Sequence, residues 1–194
     1  MATQPTPATV PSGYRDVSVP LAQVVIQGTL LSLALLVLPI VIYWVFHGFA
    51  VFWVGLSGIT FIAWIAAILV GIILHEGIHA LGWKTFGNLR WRDLSFGVDR
   101  ATLSPYCHAH VPMTAAAYRI GALLPGILIG FLPAIIGIVL ADAFLTAMGA
   151  FLLSAAIGDF IVLWVLRTIP ANAHVLDHPS NAGCYVLESD LPQE

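Results

Sequence analysis

The chain has 194 residues, of which 59% are hydrophobic and 9% are charged, and its net charge is -3 at pH 7. This balance excludes an ordinary soluble domain, in which roughly a quarter of the residues are charged, and it indicates a membrane protein. The charges form no basic patch, so we expect no nucleic-acid partner. Two cysteines, Cys107 and Cys184, are too few for a disulfide framework and are expected to be free thiols.

The N-terminal segment is rich in Pro, Thr and Ser, which predicts a flexible tail over residues 1–20. It lacks the basic stretch followed at once by an apolar core that a cleavable signal requires, so we expect the first membrane span to be retained. Between Asp16 and Glu76 there is no Asp, Glu, Lys or Arg. That interval is long enough to cross a bilayer twice.

Two membrane spans are predicted in this uncharged interval. The first, Leu21 to Phe46, consists of Leu, Val and Ile with few polar interruptions. A short connection at 47–49 follows it. The second span runs from Ala50 to about Trp83.

The segment from about 88 to 112 differs from the spans, because charges cluster there and apolar residues alternate with polar ones. This period of two predicts a β-hairpin with Asp99 and Arg100 at its turn. Pro105 and Pro112 restrict its second strand to a sheet edge, since proline has no backbone N–H to donate.

A third span is predicted over 115–140, with Thr114 as its N-cap and a path kinked or interrupted at Pro125, Gly126 and Pro133. These positions fit the preference of helices for a hydroxyl at the N-cap and for kinks at proline.

A fourth span is predicted over 143–166, after a turn at Asp142, and its single ionisable residue is Asp159. The spans together predict a membrane domain over 21–168. A polar C-terminal tail over 169–194 follows it.

The basic residues predict the orientation of the chain. With four spans, both tails and the hairpin share one side of the membrane, and all seven Lys and Arg residues lie on that side. The opposite turns, near His47 and Asp142, contain none. The positive-inside rule therefore predicts a multi-pass protein of the cell membrane, embedded in the lipid bilayer, with both termini in the cytoplasm.

The second span contains the motif HEGIH at 75–79. His75 and His79 are four residues apart and share one helix face, so two imidazole nitrogens can reach one metal ion while Glu76 lies beside them. Ionisable groups within a span are costly and rarely lack a function. The motif therefore predicts a metal site.

A catalytic zinc usually takes three protein ligands and keeps a further position open, so a third ligand is needed. Measured from the basic residue at the same end of each span, His75, His79 and Asp159 lie about 13, about 7 and about 12 Å deep. Asp159 matches in depth and is the predicted third ligand. His47 and Asp142 are excluded because they lie at the opposite surface.

Four further histidines, His108, His110, His174 and His178, are on the same side of the membrane as the motif, at depths that the sequence does not fix. For His108 and His110 a polar strand face is favoured over a metal or substrate role. For His174 and His178 a surface turn is the simpler interpretation.

On these residues the chain resembles a family described as integral-membrane zincin peptidases, a domain of unknown function that is itself similar to the site-2 proteases. The resemblance covers roughly 14–186 and rests on three motifs and their spacing: HEGIH at 75–79, GDF at 158–160 and DHPSNAGCYV at 177–186. It implies a core in which one helix carries HExxH and a later helix carries an Asp ligand. Carried over residue by residue, these are His75, Glu76, His79 and Asp159.

The sequence therefore predicts a membrane all-α protein, with four transmembrane helices and a cytoplasmic-side β-hairpin between the second and third. We expect a zinc-dependent intramembrane or juxtamembrane endopeptidase in which His75, His79 and Asp159 hold Zn²⁺, which lowers the pKa of its water toward 7. Glu76 would accept the proton of the attacking water and return it to the leaving amine. The expected substrate is a membrane protein or transmembrane peptide, added in extended form to the hairpin edge.

Other functions stay open. A membrane metal-binding or metal-transport protein would need the ligands without hydrolysis, whereas a degenerate zincin would have no need of Glu76. A haem anchor would need another histidine, because His75 and His79 point the same way from one helix. The run CYVL at 184–187 is expected to occupy the hairpin edge as an autoinhibitor, so that truncation after Arg167 would raise activity.

Overall fold

The structure is a computed structural model that describes residues 10–98 and 105–192. Seven α-helices in these residues are α1 Leu21–His47, α2 Phe49–Ser57, α3 Phe61–Phe86, α4 Ala115–Pro125, α5 Leu132–Leu140, α6 Ala143–Ala155 and α7 Ile157–Val165. Six strands are β1 Tyr14–Val19, β2 Leu94–Val98, β3 Pro105–Ala109, β4 Met113–Thr114, β5 His174–Asp177 and β6 Ala182–Leu187.

Among the residues that the structure describes, three helical segments are long and apolar enough to cross a membrane, Ile26–His47, Phe61–Phe86 and Ala115–Leu140. A fourth results if α6 and Ile157–Thr168, which are bent by 42° relative to each other, are counted as one span. Many large apolar side chains on these helices are exposed, among them Ile26 and Leu30 of α1. An apolar exterior of this kind is what a helix surface in contact with lipid requires.

The predicted second span is divided into two helices. Gly48, with φ of 93°, links α1 directly to α2, which ends at Ser57. Thr60 then caps α3, because its hydroxyl accepts a hydrogen bond from the N–H of Ala63 at 3.2 Å. The polar and glycine residues at 57–60 thus end one helix and begin the next, and HEGIH lies in the second half of α3.

The N-cap predicted at Thr114 is confirmed, since its hydroxyl accepts from the N–H of Ala117 at 3.3 Å. The interruption expected near Pro125 is also present: α4 passes into a π-helical segment, Gly126–Phe131, before α5 begins. A wider helical turn next to proline accommodates the missing backbone donor.

Both ends of the chain fold into one sheet of order β1-β6-β5-β4. The prediction of a flexible tail over 1–20 is therefore wrong for Tyr14–Val19, which pairs antiparallel with Ala182–Leu187. The polar tail expected over 169–194 contains fully buried side chains, Cys184 and Val186 among them. Each of these strands gains the partner that a lone edge strand lacks.

The expected placement of 184–187 on the hairpin edge is also wrong, and with it the autoinhibitory role. These residues lie within β6, whose neighbours are β1 and β5. Both edges of β6 are occupied, so the strand has no free edge to offer to the other sheet.

The second sheet consists of β2 and β3, which pair antiparallel with Leu94 opposite Ala109 and Val98 opposite Pro105. The turn predicted at Asp99 and Arg100 lies outside the described residues. Within the part of the chain that the structure describes, no strand pairs with the outer edge of β3.

A core joins the two sheets to α3, α4 and α7. Its buried side chains come from every one of these elements and include Trp83, Leu94, Cys107, Tyr118, Val162 and Val175. This packing fixes both sheets against the end of α3 that carries the HEGIH motif.

Gly183→Ala is expected to lower the free energy of unfolding by about 1–3 kcal/mol. Gly183 has φ of +132°, and a Cβ there would lie 2.5 Å from the carbonyl oxygen of Val17 in β1. Unfolding of the detergent-solubilised protein measures the effect. The matched control is Gly58→Ala, where a Cβ meets nothing within 4 Å. Equal stability of the two variants would contradict the close contact between β6 and β1.

Candidate metal centre

The structure brings together the three predicted metal ligands. His75 and His79 project from one face of α3, with ring centroids 4.8 Å apart, and Asp159 lies in the first turn of α7. One carboxylate oxygen of Asp159 is 3.1 Å from His75 Nε2 and the other is 3.3 Å from His79 Nε2. Ligand atoms of all three residues lie within 4.8 Å of one another.

The tautomer of His79 follows from the hydrogen bond that its Nδ1 makes. His79 Nδ1 lies 3.0 Å from the carbonyl oxygen of Gly121, which can only accept a hydrogen bond, so Nδ1 carries the proton. In the neutral ring Nε2 is then unprotonated, and it faces an oxygen of Asp159. Two acceptors in contact need a proton or a cation between them, and a cation satisfies both.

The donor set also suits a particular metal. Two imidazole nitrogens and one carboxylate oxygen, all on rigid helices, form the three-ligand set of catalytic zinc sites, which leave a position open for water or substrate. The residues present therefore fit Zn²⁺.

A column of stacked rings supports His79. The rings of His79 and Trp83 stack with centroids 5.4 Å apart, and the rings of Trp83 and Tyr118 also stack at 5.4 Å. Trp83 Nε1 donates to the carbonyl of Tyr118 at 3.2 Å. Together with the Gly121 carbonyl, these contacts restrict the imidazole to one orientation.

Two glycines make this arrangement possible. A Cβ on Gly82 would lie 2.8 Å from Cα of Gly121, so α3 and α4 cross with almost no space between their backbones. A Cβ on Gly121 would lie 2.2 Å from the Trp83 ring. The close crossing brings the Gly121 carbonyl within reach of His79.

Glu76 lies in the same cavity as the three ligands, a space of about 500 Å³ between α3, α7, β3 and the segment 177–183. The backbone N–H of Cys107 in β3 faces the carboxylate of Glu76. The strand therefore borders the cavity next to Glu76.

The segment 177–183, called the second wall below, is tied to β3 by Asp177. The buried Asp177 carboxylate accepts from the N–H of Ala109 at 3.1 Å, from Tyr118 Oη at 2.7 Å and lies 2.8 Å from His108 Nδ1. One carboxylate thus joins the strand to α4 and to the second wall, and all of its partners are donors.

His178 holds the second wall in a turn. Its Nδ1 accepts from the N–H groups of Ser180, at 3.1 Å, and Asn181, at 2.8 Å. Asn181 in turn donates to Ser18 Oγ of β1 at 3.1 Å. Burial lowers the pKa of His178, against the opposing effect of the nearby Asp16 and Asp177, because the neutral ring is the form that fits this turn.

The remaining predicted residues lie elsewhere. His110 Nε2 is 2.8 Å from Ser95 Oγ, and His174 Nδ1 is 2.8 Å from Asp190. At the other end of the spans, His47 Nε2 contacts the carbonyl of Ile138 and Asp142 caps α6. None of these four side chains joins the metal-ligand cluster.

Both cysteines are free and buried. Burial raises the pKa of the Cys107 thiol to about 12, and the carboxylates of Glu76 and Asp177 add to the shift. Burial likewise raises the pKa of Cys184. Neither thiol has the depressed pKa of a nucleophile or metal ligand.

Trp83, Tyr118 and Asp177 were not predicted as parts of the site. Asp177 had one signal in the sequence, its place at the start of the DHPSNAGCYV motif. The two aromatic residues had none, because their role comes from stacking between helices that are far apart in the chain.

Comparison with known proteins gives one match. The profile of a family described as "Putative zincin peptidase" matches residues 68–174, which is more than half of the chain and contains HEGIH, both hairpin strands and Asp159. No curated protein and no solved structure is significantly similar to the chain.

Purified wild-type protein is expected to hold stoichiometric zinc, and His79→Ala and Asp159→Ala are expected to lose most of it. Each substitution leaves two of three ligands, which is too few for a stable site. Metal analysis by mass spectrometry provides the measurement. His110→Ala, remote from the cluster, is the matched control and should keep the metal. Zinc retention by Asp159→Ala would exclude that residue as a ligand.

The stability of the protein is expected to fall below about pH 6.5 in part because of His178. The folded-state pKa of His178 lies below its unfolded value, so its contribution to stability is complete above the unfolded pKa. That contribution is lost as the pH falls through the folded pKa. The measurement is thermal unfolding as a function of pH.

His178→Asn is the control for this prediction, because its amide oxygen can accept the two N–H groups and does not titrate. The variant should show a shallower loss of stability between pH 7 and pH 5 than wild type does. Parallel curves for the two proteins would show that His178 does not titrate on unfolding.

Proposed function

The chain belongs to this family of zincin peptidases, and from that premise we propose that it is a zinc-dependent endopeptidase that cleaves substrates within or beside the membrane. The observation that carries the proposal is the cluster of His75, His79 and Asp159, with Glu76 in the same cavity. Two apolar helices have no structural need for four ionisable side chains so close together.

In the proposed reaction His75, His79 and Asp159 hold the metal. Bound there, Zn²⁺ supplies a Lewis acid and lowers the pKa of water. His79 is held in one tautomer by Gly121 and in one orientation by Trp83, so its Nε2 stays directed at the ligand cluster.

Glu76 is the proposed general base and acid. It takes the proton of the attacking water, which leaves a hydroxide to add to the peptide carbonyl, and it then gives that proton to the amine that departs as the C–N bond breaks. The carboxylate lines the same cavity as the three proposed ligands, and the Cys107 N–H of β3 faces it.

The membrane location is part of the proposal. Three or four helical segments are apolar enough to span a bilayer, and HEGIH lies within one of them. We place both termini, the β2–β3 hairpin and the basic residues on the cytoplasmic side of the cell membrane, because the positive-inside rule assigns Lys and Arg to that side.

The proposed substrate is a membrane protein or transmembrane peptide whose backbone is extended at the cleavage site. A helical segment hides its carbonyls in its own hydrogen bonds, so it must unwind before water can reach them. The cavity is lined by Pro105, Cys107 and His108 of β3 on one side and by the second wall on the other. An extended segment placed between them would add to the free edge of β3.

Wild-type protein is expected to cleave a model transmembrane peptide in detergent micelles, whereas Glu76→Gln should cleave it about 10²- to 10⁴-fold more slowly. The glutamine keeps the shape of the side chain but cannot accept the proton. Product formation is followed by mass spectrometry, and the zinc content of both proteins is measured in parallel.

Full zinc with no cleavage by wild type would favour a metal-binding or metal-transport protein instead. Equal cleavage by wild type and Glu76→Gln would indicate a contaminating protease or a different base. His110→Gln, which changes a histidine outside the cluster, serves as the control for a surface substitution near the hairpin.

A further inference from the structure

The free edge of β3 consists of the backbone groups that point away from β2. The N–H of His110 donates to Asp93 on the β2 side, at 2.9 Å, whereas the N–H of Ala109 donates to Asp177 on the opposite side. Because backbone groups alternate along a strand, those of Pro105, Cys107 and Ala109 face outward. These three residues lie on one strand face, and Cys107 and Pro105 line the cavity of the metal centre.

None of the three outward-facing residues offers a free N–H to a ligand. Pro105 has no N–H, the N–H of Cys107 faces Glu76, and the N–H of Ala109 is held by Asp177. The outward carbonyls of Pro105 and Cys107 accept no hydrogen bond from a described group outside their own sheet. The edge that faces the cavity is therefore composed of acceptors.

Asp177 keeps the edge in this state. Its carboxylate occupies the position in which the carbonyl of a paired strand would accept from Ala109, and it has three donors, Ala109, Tyr118 and His108. A buried carboxylate with all its partners in place is costly to displace. A substrate strand cannot pair with Ala109 and must end its ladder before that residue.

We propose that this edge selects substrates by their backbone N–H groups, and that Asp177 is the specificity-determining residue that ends the substrate ladder. The inference rests on the proposed peptidase function and deepens it. Two substrate N–H groups, two residues apart, donate to the carbonyls of Cys107 and Pro105. Substrate carbonyls at the same positions receive no hydrogen bond from β3.

This chemistry specifies the sequences that can bind. Proline at either donor position is excluded because it has no N–H. The backbone hydrogen bonds do not distinguish between the side chains of other residues at these positions. On the Ala109 side of the ladder proline is tolerated, because Asp177 has already ended the pairing. The selected class is an extended peptide without proline at two alternate positions.

The test uses the wild-type protein and synthetic versions of the model transmembrane peptide in which single backbone groups are changed. Replacing an amide by an ester removes one N–H without adding bulk, and replacing one carbonyl by a thiocarbonyl weakens one acceptor. Binding is measured by fluorescence anisotropy in Glu76→Gln protein, which is not expected to turn the peptide over, and cleavage is measured in wild type.

Ester substitution is expected to weaken binding about 3- to 10-fold at two positions that are two residues apart, and little elsewhere. Thiocarbonyl substitution at those two positions should change binding less than twofold. The inference would be overturned if ester substitution weakened binding equally at all positions, or if thiocarbonyl substitution weakened binding as much as ester substitution does.

Asp177→Ala tests the ladder end. Removing the carboxylate frees the N–H of Ala109, which can then donate to a substrate carbonyl. Replacing that substrate carbonyl by a thiocarbonyl should therefore weaken binding to Asp177→Ala, although it has no effect when Asp177 is present. Zinc content and thermal unfolding show whether this variant is folded, and the peptide scans with protein that keeps Asp177 remain decisive if it is not. His110→Gln, at the residue that follows β3, is the matched control.

The two proposals fail in distinguishable ways. Cleavage that depends on Glu76, combined with a flat ester scan, would keep the peptidase function and refute the selection by N–H groups. Absence of cleavage together with the expected ester pattern would keep the peptide-binding edge and refute hydrolysis.

Discussion

The crossing of α3 and α4 at Gly82 and Gly121 is the contact on which the rest of the site depends. Only two residues without side chains let the backbones approach so closely, and only this approach brings the Gly121 carbonyl to His79 and the Trp83 ring onto Tyr118. Through the hydroxyl of Tyr118 the same crossing positions Asp177. The ligand cluster, the strand edge and the second wall are therefore aligned by one helix contact, which explains how a chain of this size keeps a polar cavity among apolar helices.

The sequence was most informative about features that depend only on residues close together in the chain. The apolar runs predicted long helices, Thr114 predicted a helix start, and the spacing of HEGIH predicted two side chains on one face. The position of Asp159 next to the two histidines was predicted from its depth in the fourth span. This was possible because helices have a fixed rise per residue and a span contains few ionisable groups. The π-helical segment after Pro125 belongs to the same class, since proline perturbs a helix wherever it occurs.

The sequence was least informative where distant segments meet. Tyr14–Val19 and Ala182–Leu187 are each short and partly polar, and neither has a stable partner nearby in the chain, so both were expected to be tails. The importance of Asp177 was hidden for the same reason, because its three donors come from β3 and α4. The division of the predicted second span into α2 and α3 after Ser57 depended on two weak signals, a glycine and a threonine cap, within an otherwise continuous apolar run.

The pairing of β1 with β6 has a consequence for the order in which the cavity is assembled during synthesis. β1 is translated before all of the described helices, whereas β6 is translated after them, so β1 has no sheet partner until nearly the whole chain has been synthesised. The second wall joins β5 to β6 and therefore belongs to the part of the sheet that is made last. One wall of the cavity is thus attached to β1, through Asn181 and Ser18, only when the two ends of the chain pair.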